Sequence, residues 1–359
     1  MTVPMTRAFR SAFEGKKVFV TGHTGFKGSW LSAWLVHLGA DVTGFSLPGE
    51  MWLFDQLGLA KKISDQRGDI RDFPALQAAV AAAQPDFIFH LAAQSLVRVS
   101  YRQPVETYAT NVLGTTHLLE ACRALKNSCA VVCITTDKVY QNREWLHAYR
   151  EDDPLGGHDP YSASKAAAEI VIASYRDSFF GPGSSVRLAS ARAGNVIGGG
   201  DWAEDRLVPD CVRALEKQQT VPMRNPASTR PWQHVLEPLH GYLTLAAALA
   251  ADPADRALQS AFNFGPGLES NRTVRDLVAE ILKHWPGEAK DISDPSAPHE
   301  AGKLNLATEK AFHLLGWQAA WSFPETVKKT VDWYRRHAAG ASAWELCADQ
   351  LKAYARASH

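Results

Sequence analysis

Tyr161 and Lys165 stand four residues apart in Tyr-Ser-Ala-Ser-Lys. On a helix that spacing puts both side chains on one face. An ammonium beside a phenol favours the phenolate and lowers the phenol's pKa. The phenolate can then take the proton of an alcohol while hydride leaves the same carbon for a nicotinamide. A lysine so placed can also hold the nicotinamide ribose. Tyr and Lys at this spacing arise often by chance, so the pair means little without a second motif. That motif is Gly22-x-x-Gly25-x-x-Gly28, between a short apolar run and a helical pattern. Three glycines allow a tight turn, a close backbone approach to phosphate and close helix–strand packing. The N–H groups and positive dipole end of the following helix suit a pyrophosphate. Thr24 and Phe26 lie in the same loop. His23 and Lys27 are unusual there; each can touch the pyrophosphate or face solvent.

These residues need a scaffold, and the apolar pattern supplies one. Lys17 to Val20 reads as a strand. Trp30, Leu31, Trp34, Leu35 and Leu38 recur at helical spacing, and Gly39 ends that helix. Val42 to Phe45 is the next strand. The unit recurs: helix Pro74 to Ala83, strand Phe87 to His90, a long helix from Pro104 to about Leu125, strand Ala130 to Ile134, helix Tyr161 to Tyr175, strand Val186 to Ala191. Strands alternating with helices predict a doubly wound parallel sheet covered on both faces. After about Asn195 the rhythm breaks into helices and short irregular pieces. A smaller C-terminal α/β domain is expected there. The expected division is 1–194 for the dinucleotide, with returning segments from about 233–265, and 195–359 mainly for substrate. After Gly340 a terminal helix is expected, with Trp344, Leu346, Leu351 and Tyr354 packing.

The second strand ends Gly44-Phe45-Ser46-Leu47. It carries neither the acid common at NAD sites nor an Arg for a ribose phosphate, so this position does not choose between NAD and NADP. Asp69, in Gly68-Asp69-Ile70, follows another expected strand. Its carboxylate can accept from an adenine amino group or cap its own turn.

Lys+Arg is 38 and Asp+Glu is 38 in 359 residues. That balance argues against a nucleic-acid or membrane-surface partner, which selects a basic excess. No run approaches the roughly 20 apolar residues of a membrane helix, and the N-terminus does not read as a signal peptide. Cys129 and Cys133 sit in an apolar run with the wrong spacing for a zinc pair, so no metal site is expected. The expected compartment is the cytoplasm.

Several longer runs carry a resemblance. They are TGHTGFKGSWL from Thr21, HLAAQSLVR from His90, TTDKVY from Thr135 and DPYSASK from Asp159. RAGNVIGGGDW from Arg192, RNP and RPWQHVLEP between Arg224 and Pro238, NFGP from Asn263 and HEA from His299 follow. With these runs the chain resembles the extended short-chain dehydrogenase/reductase superfamily over about Lys17 to Tyr334. Its Rossmann-type sheet and bound NAD are what that resemblance implies. Within the superfamily it is most similar to the 4,6-dehydratases that act on CDP-glucose. The implied reaction has three steps at one site: oxidation at hexose carbon 4, loss of water across carbons 5 and 6, and hydride return to carbon 6. The cofactor is regenerated in each turnover.

The resemblance also implies residue roles. Tyr161 removes the hydroxyl proton at carbon 4. Asp137 protonates the leaving hydroxyl, Lys138 is the candidate base, and Thr136 binds the carbon 4 oxygen. Related dTDP-sugar dehydratases carry Glu where Lys138 stands. A lysine acting as base must be neutral, which needs desolvation or neighbouring positive charge. The other reading of Lys138 is that it orients substrate or pairs with Asp137. Leu91, Ala92, Ala93, Asn111 and Thr135 fall to the cofactor site, and Gln94 and Arg98 to the substrate. For the substrate's pyrophosphate Arg forks suit best. Arg230 is the first choice, with Arg206, Arg224 and an amide from Asn195. From Arg206 to His234 there are five Arg or Lys against two acids. Trp202 can shape a pyrimidine pocket, and His234 and His299 lie in matching segments. Lys303 and Ala307 depart from the pattern, which has Tyr and an acid there. A homodimer through the helix after Pro104 and the Tyr161 helix is implied. Two competing readings are an epimerase or a dehydratase for another nucleotide, and a redox-sensing protein without catalysis. Asp137 and Lys138 argue against the epimerase, and the joint presence of Tyr161, Lys165 and Asp137 against the sensor.

Overall fold

The computed structural model describes residues 7–49, 52–203, 206–293 and 304–358. Seven strands form one sheet: β1 Lys17–Thr21, β2 Asp41–Ser46, β3 Ser64–Arg67, β4 Phe87–His90, β5 Cys129–Ile134, β6 Val186–Ala193 and β7 Ala261–Phe264. Their order across the sheet is β7-β6-β5-β4-β1-β2-β3. Every pairing is parallel.

Successive side chains of a strand point to opposite faces. Val18 and Val20 enter one core and Phe19 the other; on β5, Ala130, Val132 and Ile134 enter the first while Cys129, Val131 and Cys133 enter the second. Both faces are therefore apolar, which is why these strands read as unbroken apolar runs. β3 is the exception. Its residues Ser-Asp-Gln-Arg are polar because it lies at the sheet's edge and is only partly covered. All five cysteines are buried and unpaired.

The helix after the glycine loop spans Phe26–Leu38, starting two residues before Gly28, from which its helical pattern reads. It buries Trp30, Trp34 and Leu35 as the spacing requires, and Gly39 closes it at φ 84°. The long helix expected after Pro104 is not uniform. It runs as Pro104–Tyr108, a wider π turn over Ala109–Leu113, and Gly114–Cys122, and a separate helix Val97–Arg102 precedes it.

Beyond β6 the chain builds small pieces. Val221–Met223 pairs Ala289–Asp291 in parallel, and Thr229–Pro231 pairs Asn271–Thr273 antiparallel. The helix Leu236–Ala251 packs back on β5 and β6, and β7 extends the main sheet. The terminal helix Ala343–Ala357 covers the helix Phe26–Leu38. Tyr354 stands edge-on to Trp34 at 5.9 Å and donates its hydroxyl to Glu237 at 2.6 Å. Burial raises the Glu237 carboxyl to about 7, against donors from Tyr354, Ala320 and Trp321. No described helix is long and apolar enough to cross a membrane.

Gly44 shows how tight this packing is. A Cβ there would lie 2.3 Å from the His23 ring. Gly44→Ala should lower stability by about 1–3 kcal/mol, read as a shift of the urea midpoint. Adding His23→Ala removes the obstruction, so the double variant should lose less than the sum of the two singles. Additive losses would refute this account.

Candidate functional site

The glycine loop leaves β1 beside the end of β4. These neighbouring strands send their connections in different directions, the crevice where doubly wound sheets bind ligands. Gly22 sits at φ +72°, and a Cβ on it would meet Ala92 N at 2.7 Å. A Cβ on Gly28 would stand 2.1 Å from the Gly22 carbonyl oxygen. Both glycines are required by the protein's own packing. Gly25 is different: a Cβ there meets only that same oxygen, at 3.4 Å. Nothing in the described packing requires Gly25 to be bare, so the space beside it is open to a ligand. Gly25 caps the helix Phe26–Leu38 without any side-chain acceptor, so the first N–H groups are open to an anion. The loop therefore fits a dinucleotide pyrophosphate.

Beneath the loop, a chain of hydrogen bonds ties the strand ends together. Thr115 donates to the Asn111 carbonyl at 2.7 Å, so it accepts from His90 Nε2 at 3.1 Å. His90 Nδ1 then accepts from the Thr21 hydroxyl at 2.7 Å. Burial holds His90 down to about 3, so the ring stays neutral. Asn111, in the π turn, accepts from Gln94 N at 2.9 Å and donates to the Gln94 carbonyl and to Ser164. The wider turn thus positions the loop after β4 against the Tyr161 helix.

That helix spans Pro160–Ser178, capped by Asp159, which accepts from Ser162 N at 2.9 Å. Tyr161 and Lys165 are both buried on it. The expected lowering of the phenol is not found. Burial pushes Tyr161 up to about 12, with the Thr136 hydrogen bond only partly opposing. Lys165 donates instead to the Ile134 carbonyl at 3.2 Å, and burial lowers it to about 8. Four residues of spacing bring the two groups to one face without making the ammonium the phenol's main neighbour.

Thr136, Asp137 and Lys138 begin where β5 ends. Thr136 donates to Asp137 Oδ1 at 2.9 Å and accepts from Lys138 N at 3.4 Å, turning the chain sharply. Lys138 Nζ lies 3.9 Å from Asp137 Oδ1. Asp137 is buried and Lys138 partly exposed.

These groups line one cleft of about 2150 Å³. A single small-molecule site is ordinarily at most about 1,000 Å³, so the cleft has room for two ligands. One end carries Gly22, Thr24, Gly25, Phe26, Gly28, Asp69, Ile70, Leu91, Ala92 and Ala93. Thr135, Thr136, Asp137, Lys138, Tyr161 and Lys165 line the middle, and Arg98, Asn195, Arg206, Arg224 and Arg230 the rest. Asp69 caps its own turn by accepting from Arg71 N at 2.9 Å, and its side-chain bonds to Arg71 hold the carboxyl below its usual range. Arg206 pairs with Asp201 at 3.0 Å.

Other expected contacts turn away. His23 is fully buried and meets Asp65 at 2.8 Å, edge-on to Phe54. Trp202 packs edge-on against Tyr334, and His234 against Trp30 and Trp321. Gln94 and Asn111 brace the loop after β4 and do not line the cleft. His299 lies outside the described residues. Lys27, by contrast, lines the cleft; burial and the nearby Arg206 charge bring it to about 8. Ser46, at the end of β2, also lines it and bonds Thr24 at 2.8 Å. Its only sequence signal is its place at a strand end.

A parallel sheet with a glycine loop at its crevice and Tyr161 and Lys165 facing that loop is the arrangement of the extended short-chain dehydrogenases/reductases. The family model described as GDP-mannose 4,6 dehydratase matches residues 19–330, and the chain belongs to that family. It is 50% identical over 333 residues to a CDP-glucose 4,6-dehydratase of Salmonella typhimurium, covering 91% of this chain and 92% of that one. It is 32% identical over 273 residues to a dTDP-glucose 4,6-dehydratase of Streptomyces antibioticus, 75% of each chain. Among solved structures, a dTDP-glucose 4,6-dehydratase of Streptomyces venezuelae with NAD bound superposes with TM-score 0.76 and 25% identity, over 91% of this chain and 99% of that one. A UDP-glucose 4-epimerase of Thermotoga maritima, at 21% identity and TM-score 0.78 over 89% and 99%, shares the fold.

The glycines separate fold from binding. Gly25→Ala should keep stability within about 0.5 kcal/mol of wild type and weaken NAD binding on the order of tenfold, about 1.4 kcal/mol. Gly28→Ala should lower the melting temperature instead. Calorimetry and thermal unfolding distinguish them; unchanged NAD affinity in Gly25→Ala would sink the assignment.

Proposed function

We propose that this chain converts CDP-D-glucose to CDP-4-keto-6-deoxy-D-glucose and water with bound NAD, as a lyase. The observation that carries the reading is the meeting of two sets of groups in one cleft. Tyr161 and Lys165 serve alcohol oxidation; Asp137 and Lys138 serve loss of water; Thr136 bonds to both Tyr161 and Asp137. The half-identical relative, a CDP-glucose 4,6-dehydratase, supports CDP as the nucleotide.

When bound, NAD supplies a hydride acceptor for the first step and a donor for the last. Residues 1–194 with 233–265 hold it, and 195–359 mainly hold the nucleotide sugar. Tyr161 takes the carbon 4 hydroxyl proton as the C–H bond breaks, and Thr136 holds the resulting carbonyl oxygen. Lys165 keeps cationic charge close to the phenolate. The ketone acidifies the carbon 5 proton, which Lys138 removes. That electron pair forms the C5–C6 double bond, the C6–O bond breaks, and Asp137 gives its proton to the leaving hydroxyl. Hydride then adds at carbon 6, and Lys138 returns a proton to carbon 5. Before the next turnover the proton held by Tyr161 passes to Asp137, along the Thr136 hydroxyl that bonds to both. Arg98, Arg206, Arg224, Arg230 and Asn195 hold the substrate's pyrophosphate and sugar.

The five unpaired buried cysteines fit the reducing cytoplasm. We also propose a homodimer. Val105 is 81% and Ile170 60% exposed, on helices that pack side by side, with Tyr101 and Leu113 also exposed nearby. Sedimentation should give a dimer for wild type and a monomer for Val105→Glu/Ile170→Glu; monomeric wild type would remove the dimer.

The reaction is tested with CDP-, dTDP-, UDP- and GDP-glucose, following product by mass. CDP-glucose should lose one water and the others react at least tenfold more slowly. In Lys138→Ala, a single turnover should accumulate reduced cofactor while product fails. Product at near the wild-type rate would remove Lys138 as the base, and turnover of another nucleotide sugar alone would move the substrate.

A further inference from the structure

Glu169 stands one helical turn beyond Lys165 and two beyond Tyr161. Its buried carboxylate accepts from Thr135 Oγ1 at 2.5 Å, Ser190 Oγ at 2.7 Å, and Arg192 Nε and Nη2 at 3.0 Å each. Burial opposes that charge, but the Arg192 guanidinium overrides it and holds the carboxyl below its usual range. Arg192, equally buried on β6, reaches on with Nη1 to the Tyr140 hydroxyl and the Glu151 carbonyl, both at 2.9 Å. Tyr140 in turn donates to Asn263 Oδ1 at 2.7 Å.

The placement of these arms matters more than their number. Thr135 immediately precedes the Thr136-Asp137-Lys138 triplet, and Tyr140 follows it by two residues. One ion pair therefore anchors both ends of the loop that carries the triplet. Its carboxylate stands on the very helix that presents Tyr161 and Lys165. A buried ion pair is weak evidence of stability, since apolar replacements are often neutral or stabilising. Here its distinguishing property is geometric. It joins the groups assigned to oxidation and those assigned to loss of water, which otherwise lie on separate elements.

We propose that the Glu169–Arg192 pair is a positioning element that sets the register of Asp137 and Lys138 against Tyr161 and Lys165. It rests on the dehydratase reading above. Displacement of a reacting group by about 1 Å can cost on the order of 100-fold in rate. The pair keeps the triplet from drifting while the sugar passes through its three steps without leaving.

Tyr140→Phe removes one arm and leaves the ion pair whole. Thr135→Val removes the other, and Thr135→Ser restores its hydroxyl. Each is mixed with CDP-glucose in a single turnover, following reduced-cofactor absorbance for oxidation and quenched product for elimination. Tyr140→Phe should oxidise at close to the wild-type rate and eliminate about 10- to 100-fold more slowly, so reduced cofactor accumulates. Thr135→Val should slow elimination as well, and Thr135→Ser should recover it. Equal slowing of both steps in Tyr140→Phe, or slowing of neither, would overturn the proposal. If Tyr140→Phe fails to fold, the Thr135→Val and Thr135→Ser pair decides on the same criterion. Wild type that forms no product from CDP-glucose would overturn the dehydratase reading itself, a result distinct from any behaviour of the variants.

Discussion

The site depends on one constraint: all seven strands of the sheet run the same way. Every strand then ends on a single rim, and the loops that follow β1 to β6 open there. The glycine loop, Ser46, Asp69, Leu91 to Ala93, the Thr136 triplet and Asn195 are those loops, taken in order. None needs a special path to reach the cleft. What must be added is the helix Pro160–Ser178, and the bonds of Thr136 and Thr135 to it fasten that helix to β5.

Much of this was legible before the structure. Apolar runs marked five of the seven strands, because a parallel sheet buries both faces and leaves no polar alternation. β3 was legible only as something preceding Gly68, since its edge position lets Ser-Asp-Gln-Arg stay polar. β7 fell inside a segment expected to return, although four residues carried no mark of a strand. The Gly22, Gly25 and Gly28 loop and the Thr136 triplet were visible as motifs, and both line the cleft.

What spacing could not convey was direction and dielectric. His23 sits among the glycines, yet its side chain turns beneath β2 because Gly44 leaves room there. Trp202 and His234 belong to conspicuous runs and pack into the interior instead. Tyr161 and Lys165 share a face, but the water excluded around them raises the phenol and lowers the amine. Each group is thereby pushed toward its neutral form, ready to be charged by whatever enters the cleft. The Glu169–Arg192 pair carries no local sequence signal, because its partners come from three distant stretches, joined only when β5 and β6 lie side by side.

The helix Ala343–Ala357 lies beyond the stretch that the family model matches, yet it covers the helix that follows the glycine loop. Trp34 therefore meets its partner Tyr354 only after nearly the whole chain has been made. At about 5–20 residues per second, synthesis of the intervening segment takes on the order of tens of seconds. Throughout that interval Trp34, which also stacks on His240, lacks the edge contact that Tyr354 supplies. Completion of the dinucleotide half is a late event by construction, governed by translation as much as by the physics of its own strands.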